Sequence, residues 1–403
     1  MLILKAYHIE LDPNNHQRTQ MKKHAGCARF AFNWGLAERI RRHKTKTGNE
    51  RFTNYVEQQR ELNRLKLSKF PWMYEVSKCA PQTALQDLEK AFQNFYRGLK
   101  SAKKIGFPKF KKKGCRDSFR LTGIIKVIGR VIQLPRLGKV RLKETPNLVG
   151  RIINATVSRK ADRWFVSICV EQELTEPAPI HGPKIGVDLG LHSLATLSDG
   201  TEYRNPSALA SKIRKIKRLS RQVSRKRKGS QNRRKAVIRL AKLYWRISNV
   251  RKDVLHKLTS YLAKNHSQIM IEDLCVEGLI QNKSLSRAIA DVGFYEFRRQ
   301  LEYKTRWYGS KLVLAPRFFP SSKRCSRCGF TKDKFPLSTR EFQCESCGLE
   351  LERDLNAAIN LVAASWAETE NACLEVGGYR SLRDQCPSMK QEPNTTDFLE
   401  SAG

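Results

Sequence analysis

The sequence predicts a multidomain chain in which a β unit with a helical insertion precedes an α/β layer. Three observations carry that expectation. The chain has 403 residues, more than one core usually serves, and 40% of them are apolar, so two to four domains with real cores are expected. The hydrophobic period also changes along the chain, from helical spacing to short alternating runs, and then to strands alternating with helices. Finally, "EPAPIHGP" (Glu176–Pro183) is proline-rich and reads as a linker.

The first strand is Leu2–Asp12. From Gln17 a helical stripe begins, with Ala28, Phe32, Leu36 and Ile40 four apart. A second helix opens at Pro81, a residue suited to a first turn. Its Leu85, Leu88, Phe92, Phe95 and Leu99 form a packing seam that belongs to a core rather than to a cofactor site. From Lys103 to Leu174 short alternating runs are broken by Gly129, Gly138 and an Arg159–Asp162 turn. They predict an antiparallel β unit of about six strands, barrel-like in its spacing. If Leu2–Asp12 pairs into that unit, the helices between are an insertion.

After the linker, "KIGVDLG" is a strand ending in a tight turn, and "LATLSDG" is a second strand. Two helical patterns follow, one on Leu209, Ile213, Ile216, Leu219 and Val223, the other on Val237, Leu240, Tyr244, Ile247, Val254 and Tyr261. Gly229 and Ser230 separate them, which predicts a hairpin. Then come the strand "QIMIEDL", a helix around Arg287–Tyr308, the strand "KLVLAP", a cysteine-bearing segment and a helix from Asp354. Beyond about Ala367 the chain is polar and irregular, and disorder is expected there.

A formal charge of +39, from 77 Lys and Arg against 38 acids, points to a polyanionic partner. No stretch reaches the 18 apolar residues of a membrane span. The opening "MLILKAYHIELD" lacks the apolar length and cleavage site of a secretory signal, so a cytoplasmic protein reaching DNA in the nucleoid is expected. The 11 cysteines then read as thiols and metal ligands rather than as disulfides. Cys169 and Cys275, in apolar runs, are expected in the core.

Between Tyr203 and Lys252 lie 19 Lys or Arg and no acid. Such a run is ordinarily a solvated face. Here, unrelieved repulsion favours contact with a nucleic-acid backbone through Arg225, Lys226, Arg227, Lys228, Arg233, Arg234 and Lys235, positioning the partner without reading its sequence. "GFPKFKKKG" (Gly106–Gly114), which mixes aromatics with lysine, is a second candidate strip.

Three acids sit where strands or helices meet loops: Asp188 in "GVDLG", Glu272 in "IMIEDL" and Asp354 in "ERDLNAAIN". They lie 84 and 82 residues apart, so only a fold could gather them. Gathered carboxylates repel unless cations join them, and hard oxygen ligands suit Mg²⁺ or Mn²⁺. Singly, each acid is more simply a turn former or a helix cap, and Asp273 competes with Glu272 because successive strand residues face opposite ways. Cys325-x-x-Cys328, fifteen residues, then Cys344-x-x-Cys347 matches a closed four-thiolate zinc site, structural rather than catalytic.

In this order, "GVDLG", the basic hairpin, "IEDL", "EFRRQLEYKTRWYGSKL", "RFFPSSKRCSRCG", "CESCG" and "RDLNAAIN" resemble the TnpB (OrfB) proteins of bacterial insertion sequences over about residues 1–370. That family is similar to type V CRISPR effectors. The resemblance implies an RNase H-like (RuvC) nuclease domain over 178–318 and 350–370, with a zinc-ribbon insertion at 319–349. A β-barrel wedge domain (1–14 and 103–177) with a helical recognition insertion (15–102) would precede it, and 371–403 would be a disordered tail. It implies an RNA-guided DNA endonuclease of a transposable element, cutting beside a short transposon-adjacent motif by two-metal-ion hydrolysis. Its partners would be a guide RNA from the transposon end and double-stranded target DNA, with one protein per RNA. Carried over by residue, the catalytic positions fall on Asp188, Glu272 and Asp354, and the zinc ligands on Cys325, Cys328, Cys344 and Cys347. "SKCAPQ" and "RLTG" place Lys78, Gln82 and Thr122 near the duplex motif.

Other functions compete with this reading. A catalytically silent RNA-guided regulator would lack one of the acids, and all three are present. A strand-transferring transposase would carry His-x-His with a downstream Tyr, which is not found, leaving an accessory role in transposition. A zinc-ribbon RNA-binding protein would use the acids only structurally.

Overall fold

The computed structural model describes residues 2–45, 54–100, 105–336 and 339–371. Of the tail expected to be disordered beyond about Ala367, residues 368–371 are helical, and the rest lies outside the described residues. The chain divides between Leu174 and Thr175 into two compact units.

The first unit opens with β1 (Leu2–Asp12) and three helices: α1 (Asn15–Lys44), α2 (Tyr55–Ser68) and, after a 3₁₀ turn at Pro71–Glu75, α3 (Cys79–Lys100). Six strands follow: β2 (Ser118–Thr122), β3 (Lys126–Ile128), β4 (Val131–Leu134), β5 (Gly138–Leu142), β6 (Arg151–Lys160) and β7 (Arg163–Glu173). With β1 they form one antiparallel sheet in the order β2-β6-β7-β1-β5-β4-β3. β1 pairs with β7 from Leu2↔Glu173 to Leu11↔Trp164, then passes to β5 at Leu11↔Leu142. This handover coils the sheet, but β2 and β3 end it without pairing to each other, so the barrel inferred from strand spacing is an open sheet.

α1 starts earlier than its apolar stripe suggests because Asn14 and Gln17 form a capping box. Ala28, Phe32 and Leu36 are buried against α3. Gly35 lets the two helices touch, since a Cβ there would lie 2.7 Å from Leu85 Cδ2. Leu85, Leu88 and Phe92 are buried as the seam predicts. Leu99 is not: it is 65% exposed. Gly98 takes the inward position there because Ile105 packs directly over it.

The second unit contains β8 (Lys184–Asp188), β9 (Ser193–Leu197), β10 (Glu202–Arg204), α4 (Ile213–Ser224), α5 (Gln231–Asn265), β11 (Gln268–Glu272), α6 (Val276–Gln281), α7 (Ser286–Val292), α8 (Phe294–Tyr308), β12 (Lys311–Ala315), β13 (Glu341–Gln343), β14 (Glu350–Glu352) and α9 (Arg353–Asn371). A five-stranded sheet runs β10-β9-β8-β11-β12, with β8, β11 and β12 parallel. Parallel strands covered on both faces read as continuous apolar runs, as "KIGV" and "QIMI" do. Ile185, Val187, Ile269 and Ile271 face a core shared with Leu255, Leu258 and Leu262 of α5 and Phe297 and Leu301 of α8. Met270 faces the other way and packs with Ala315 and with Leu361 of α9. The predicted helix around Arg287–Tyr308 is two helices, broken by Gly293 at φ +79°. Of the two expected core cysteines, Cys169 is half-buried and Cys275 is exposed ahead of α6 rather than within a strand. The strand had already ended at Glu272.

Candidate active site

Strand alternation aims the acids. Ile185 and Val187 face α5 and α8, so Gly186 and Asp188 face the α9 side. By the same rule Met270 and Glu272 point toward α9, and Asp273 points away. β8 and β11 run parallel in register through Val187↔Ile271, so Asp188 and Glu272 are the next residues on neighbouring strands, roughly 5 Å apart at the backbone. α9 crosses this face in direct contact with it: a Cβ on Gly186 would stand 2.0 Å from the Ala358 carbonyl. One helical turn before Ala358 comes Asp354.

The three acids therefore meet electrostatically. Burial, then the charges of Glu272 and Asp354, push the Asp188 carboxyl from its ordinary 3.8 up to about 8, against a smaller downward pull from Arg353. The rival Asp273 is already neutralised. It accepts from Arg298 at 2.5 Å and Arg317 at 2.9 Å. Burial alone would raise its carboxyl, but these hydrogen bonds and charges hold it below the usual range. A pair of guanidinium groups leaves Asp273 little to offer a cation, whereas Glu272 accepts from a neutral hydroxyl, Ser321 Oγ, at 2.5 Å. Arg340 approaches Asp354 at 3.9 Å.

Three further residues were not singled out by sequence reasoning. Ser321 is buried and bonds Glu272. Asn356 donates to the Arg324 carbonyl at 2.7 Å and accepts from Ser326 N–H at 3.0 Å. Asn360 donates to Ser321 O and Arg324 O at 2.8 and 2.6 Å. The signal was present: two asparagines four apart, buried within the otherwise apolar start of a helix. Together they lock α9, just past Asp354, onto the segment that leads into the cysteines.

That segment forms two knuckles of the same design. Gly329 N–H bonds Cys325 O and Gly348 N–H bonds Cys344 O, both at 3.0 Å. Both glycines have positive φ, +77° and +71°. The four cysteine sulfurs lie within 4.8 Å of one another. Cys325–Cys347 is 3.7 Å and Cys328–Cys344 is 3.5 Å. Tetrahedral thiolates about 2.3 Å from zinc stand about 3.8 Å apart, so the cluster fits a zinc ribbon. Phe342, fully buried beneath it, supplies the small apolar core.

The basic residues divide between the units. Arg225, Lys226, Arg227 and Lys228 cap α4 and turn the hairpin, all exposed. Arg233, Arg234 and Lys235 occupy the first turn of α5, where the Ser230 side chain accepts from Arg233 N–H at 3.1 Å. In the first unit, Lys78 is exposed just ahead of α3 and Gln82 is half-buried on it. Thr122 ends β2, its hydroxyl 3.3 Å from Cys79 Sγ. That contact brings "SKCAPQ" and "RLTG" together.

A family model described as "Probable transposase" (OrfB of IS605) matches residues 167–283. A Cas12f1-like TNB domain matches 294–361. A helix-turn-helix domain of the OrfB group matches 1–48, where described residues 2–45 form a strand and one long helix. The "Putative RNA-guided DNA endonuclease InsQ" of Escherichia coli (strain K12) is 36% identical, covering 96% of this chain and 98% of its own. A "Putative RNA-guided DNA endonuclease" of Streptomyces pristinaespiralis is 36% identical over 97% of this chain and 96% of its own. The solved structure of a Cas12f1–sgRNA–target DNA complex matches with TM-score 0.50 at 13% identity, covering 89% of this chain and 98% of that one. At that identity the likeness establishes a shared fold alone.

Proposed function

The chain belongs to the TnpB (OrfB) family of insertion-sequence proteins, and from that premise we propose that it is an RNA-guided DNA endonuclease of a transposable element. The observation that supports the proposal is that Asp188 and Glu272 follow one another's register on neighbouring parallel strands, with Asp354 close enough for its charge to act on Asp188. We assign these three the catalytic role and the binding of Mg²⁺ or Mn²⁺. Three carboxyl groups are hard oxygen donors of the kind such ions take together with water, and a cation there would offset the burial and mutual repulsion that raise Asp188. Bound there, two divalent cations would supply an activated water and stabilise the departing oxygen of a phosphodiester.

The protein's own residues set the geometry. The β8–β11 register aligns Asp188 with Glu272, Ser321 orients Glu272, and the asparagines of α9 hold Asp354 in place. Zinc on Cys325, Cys328, Cys344 and Cys347 would tie off the excursion so that the chain re-enters at Asp354. The cations from Arg225 to Lys235, exposed except for the half-buried Arg233, suit a phosphate backbone, and Lys78, Gln82 and Thr122 suit reading of the motif beside the target. In this reading the first unit supplies the wedge and recognition parts and the second the RuvC-like nuclease. The protein works in the cytoplasm with a transposon-derived guide RNA and duplex DNA.

The test is direct. RNA that co-purifies with the protein is sequenced, and duplex DNA matching it is offered with Mg²⁺. Guide-dependent cutting is expected, and it should disappear in Asp188→Ala. Cutting that survives this substitution would dismiss the assigned metal site.

A further inference from the structure

The strip Gly106–Gly114, singled out for its mixed aromatics and lysines, is not part of the site above. In the structure it is pinned to the helices of the first unit. Phe107 packs edge-on against Phe92 and Phe95, each at 5.4 Å. Asn33 of α1 exchanges two hydrogen bonds with the Lys111 backbone, at 2.9 and 2.8 Å. The Lys111 ammonium lies 4.0 Å over the Phe32 ring.

Between these anchors Phe110 stays 53% exposed. It borders a groove of about 560 Å³ lined also by Arg29, Phe30, Asn33, Trp34 and Phe70. Phe30 meets Phe70 and Trp72 edge-to-face at 4.8 and 5.1 Å, which makes a rigid aromatic floor. Arg29 is held at the groove by Asp117 at 3.0 Å, and Lys109 and Lys113 are exposed along the same strip. An aromatic slot edged with one ion-paired and two exposed cations is complementary to a flat heterocycle carried between phosphates.

We propose that this groove receives one unpaired base of the RNA the protein carries, an assignment that rests on the RNA-guided reading above. RNA is favoured over DNA because RNA loops and bulges offer unpaired bases to aromatic side chains before any target is bound, whereas duplex DNA offers them only once the guide has opened it. A second copy of this chain would bring an apolar face, and the cations along the strip give such a face nothing to pair with.

The experiment uses the full chain and the RNA that co-purifies with wild type, transcribed in vitro. Phe110→Ala should bind that RNA about five- to a hundredfold more weakly, the size of one aromatic–base stack. Phe110→Tyr, which keeps the ring, should stay within about twofold. The salt dependence of binding should be unchanged in both variants, because stacking neutralises no phosphate. Ultraviolet crosslinking of the wild-type complex should leave a nucleotide on Phe110 or Trp34, a readout that needs no variant to fold. If wild type carries RNA, yields no such adduct and Phe110→Ala binds equally well, the groove assignment is wrong and the guide reading stands. If wild type carries no RNA, the guide reading falls and takes the groove with it. A dimer of RNA-free protein that Phe110→Ala dissolves, with RNA affinity unaltered, would make a second copy the occupant and overturn the proposal.

Discussion

Replacing Asp188 by Asn should stabilise the protein when divalent cations are absent. Desolvation of the half-buried carboxyl, then the charges of Glu272 and Asp354, push it up to about 8 in the fold, against an ordinary 3.8. A carboxyl raised by folding contributes most to stability while it is protonated in both states. That contribution is therefore flat below about pH 4, falls as pH rises toward 8, and is flat again above. Its slope is at most about 1.4 kcal/mol per pH unit, giving roughly 4 kcal/mol at pH 7 as an upper bound. Relaxation of the neighbouring carboxylates and residual water lower this to about 2 kcal/mol. For a unit of this size each kcal/mol moves the melting temperature by about 2–4 °C, so Asp188→Asn should melt about 4–8 °C higher at pH 7 in EDTA. The assay is thermal unfolding in EDTA from pH 5 to 9. The gap between variant and wild type should open with pH, then close or reverse when Mg²⁺ is added, since the amide offers a cation far less than a carboxylate. A variant that melts at or below wild type in EDTA, or a gap that ignores pH, would refute the clustering of the three charges.

Ser321→Ala removes the hydroxyl that orients Glu272. One hydrogen bond to a charged group is worth about 1.5–3 kcal/mol, so Mn²⁺ binding measured by calorimetry should weaken by at least about tenfold while the zinc content stays at wild-type level. Gly186→Ala would drive a methyl into the Ala358 carbonyl; α9 must shift, and DNA cutting should fall by more than about a hundredfold even though no carboxylate is lost, as a cleavage time course would measure. Cys344→Ser leaves three thiolates, so metal analysis should show zinc lost from the purified protein, and proteolysis should open the segment between Pro320 and Glu352. Retained zinc and unchanged cutting would make the ribbon dispensable.

Much of this architecture was legible locally. Strand and helix periods located Leu2–Asp12, the basic hairpin and the parallel strands, and the cysteine spacing announced its tetrahedral cluster without any fold. Short-range chemistry sufficed for these because each is decided within one or two turns of chain. The exceptions were also local in cause. Gly293 breaks a helix that apolar spacing ran through, and Gly98 rather than Leu99 faces inward because Ile105, a residue outside the helix, chose the contact.

The sequence by itself determined which carboxylates, thiolates and cations exist and which elements carry them. Resemblance already favoured Glu272 over Asp273; the tertiary structure added a physical reason, turning one toward α9 and giving the other two arginines. It alone revealed Ser321, Asn356 and Asn360, whose partners lie 30 to 49 residues away, and it opened the sheet that strand spacing would have closed. The reason is physical: a residue's type and period depend on its neighbours along the chain, whereas charge compensation and buried hydrogen bonds depend on whatever the fold brings within about 3 Å.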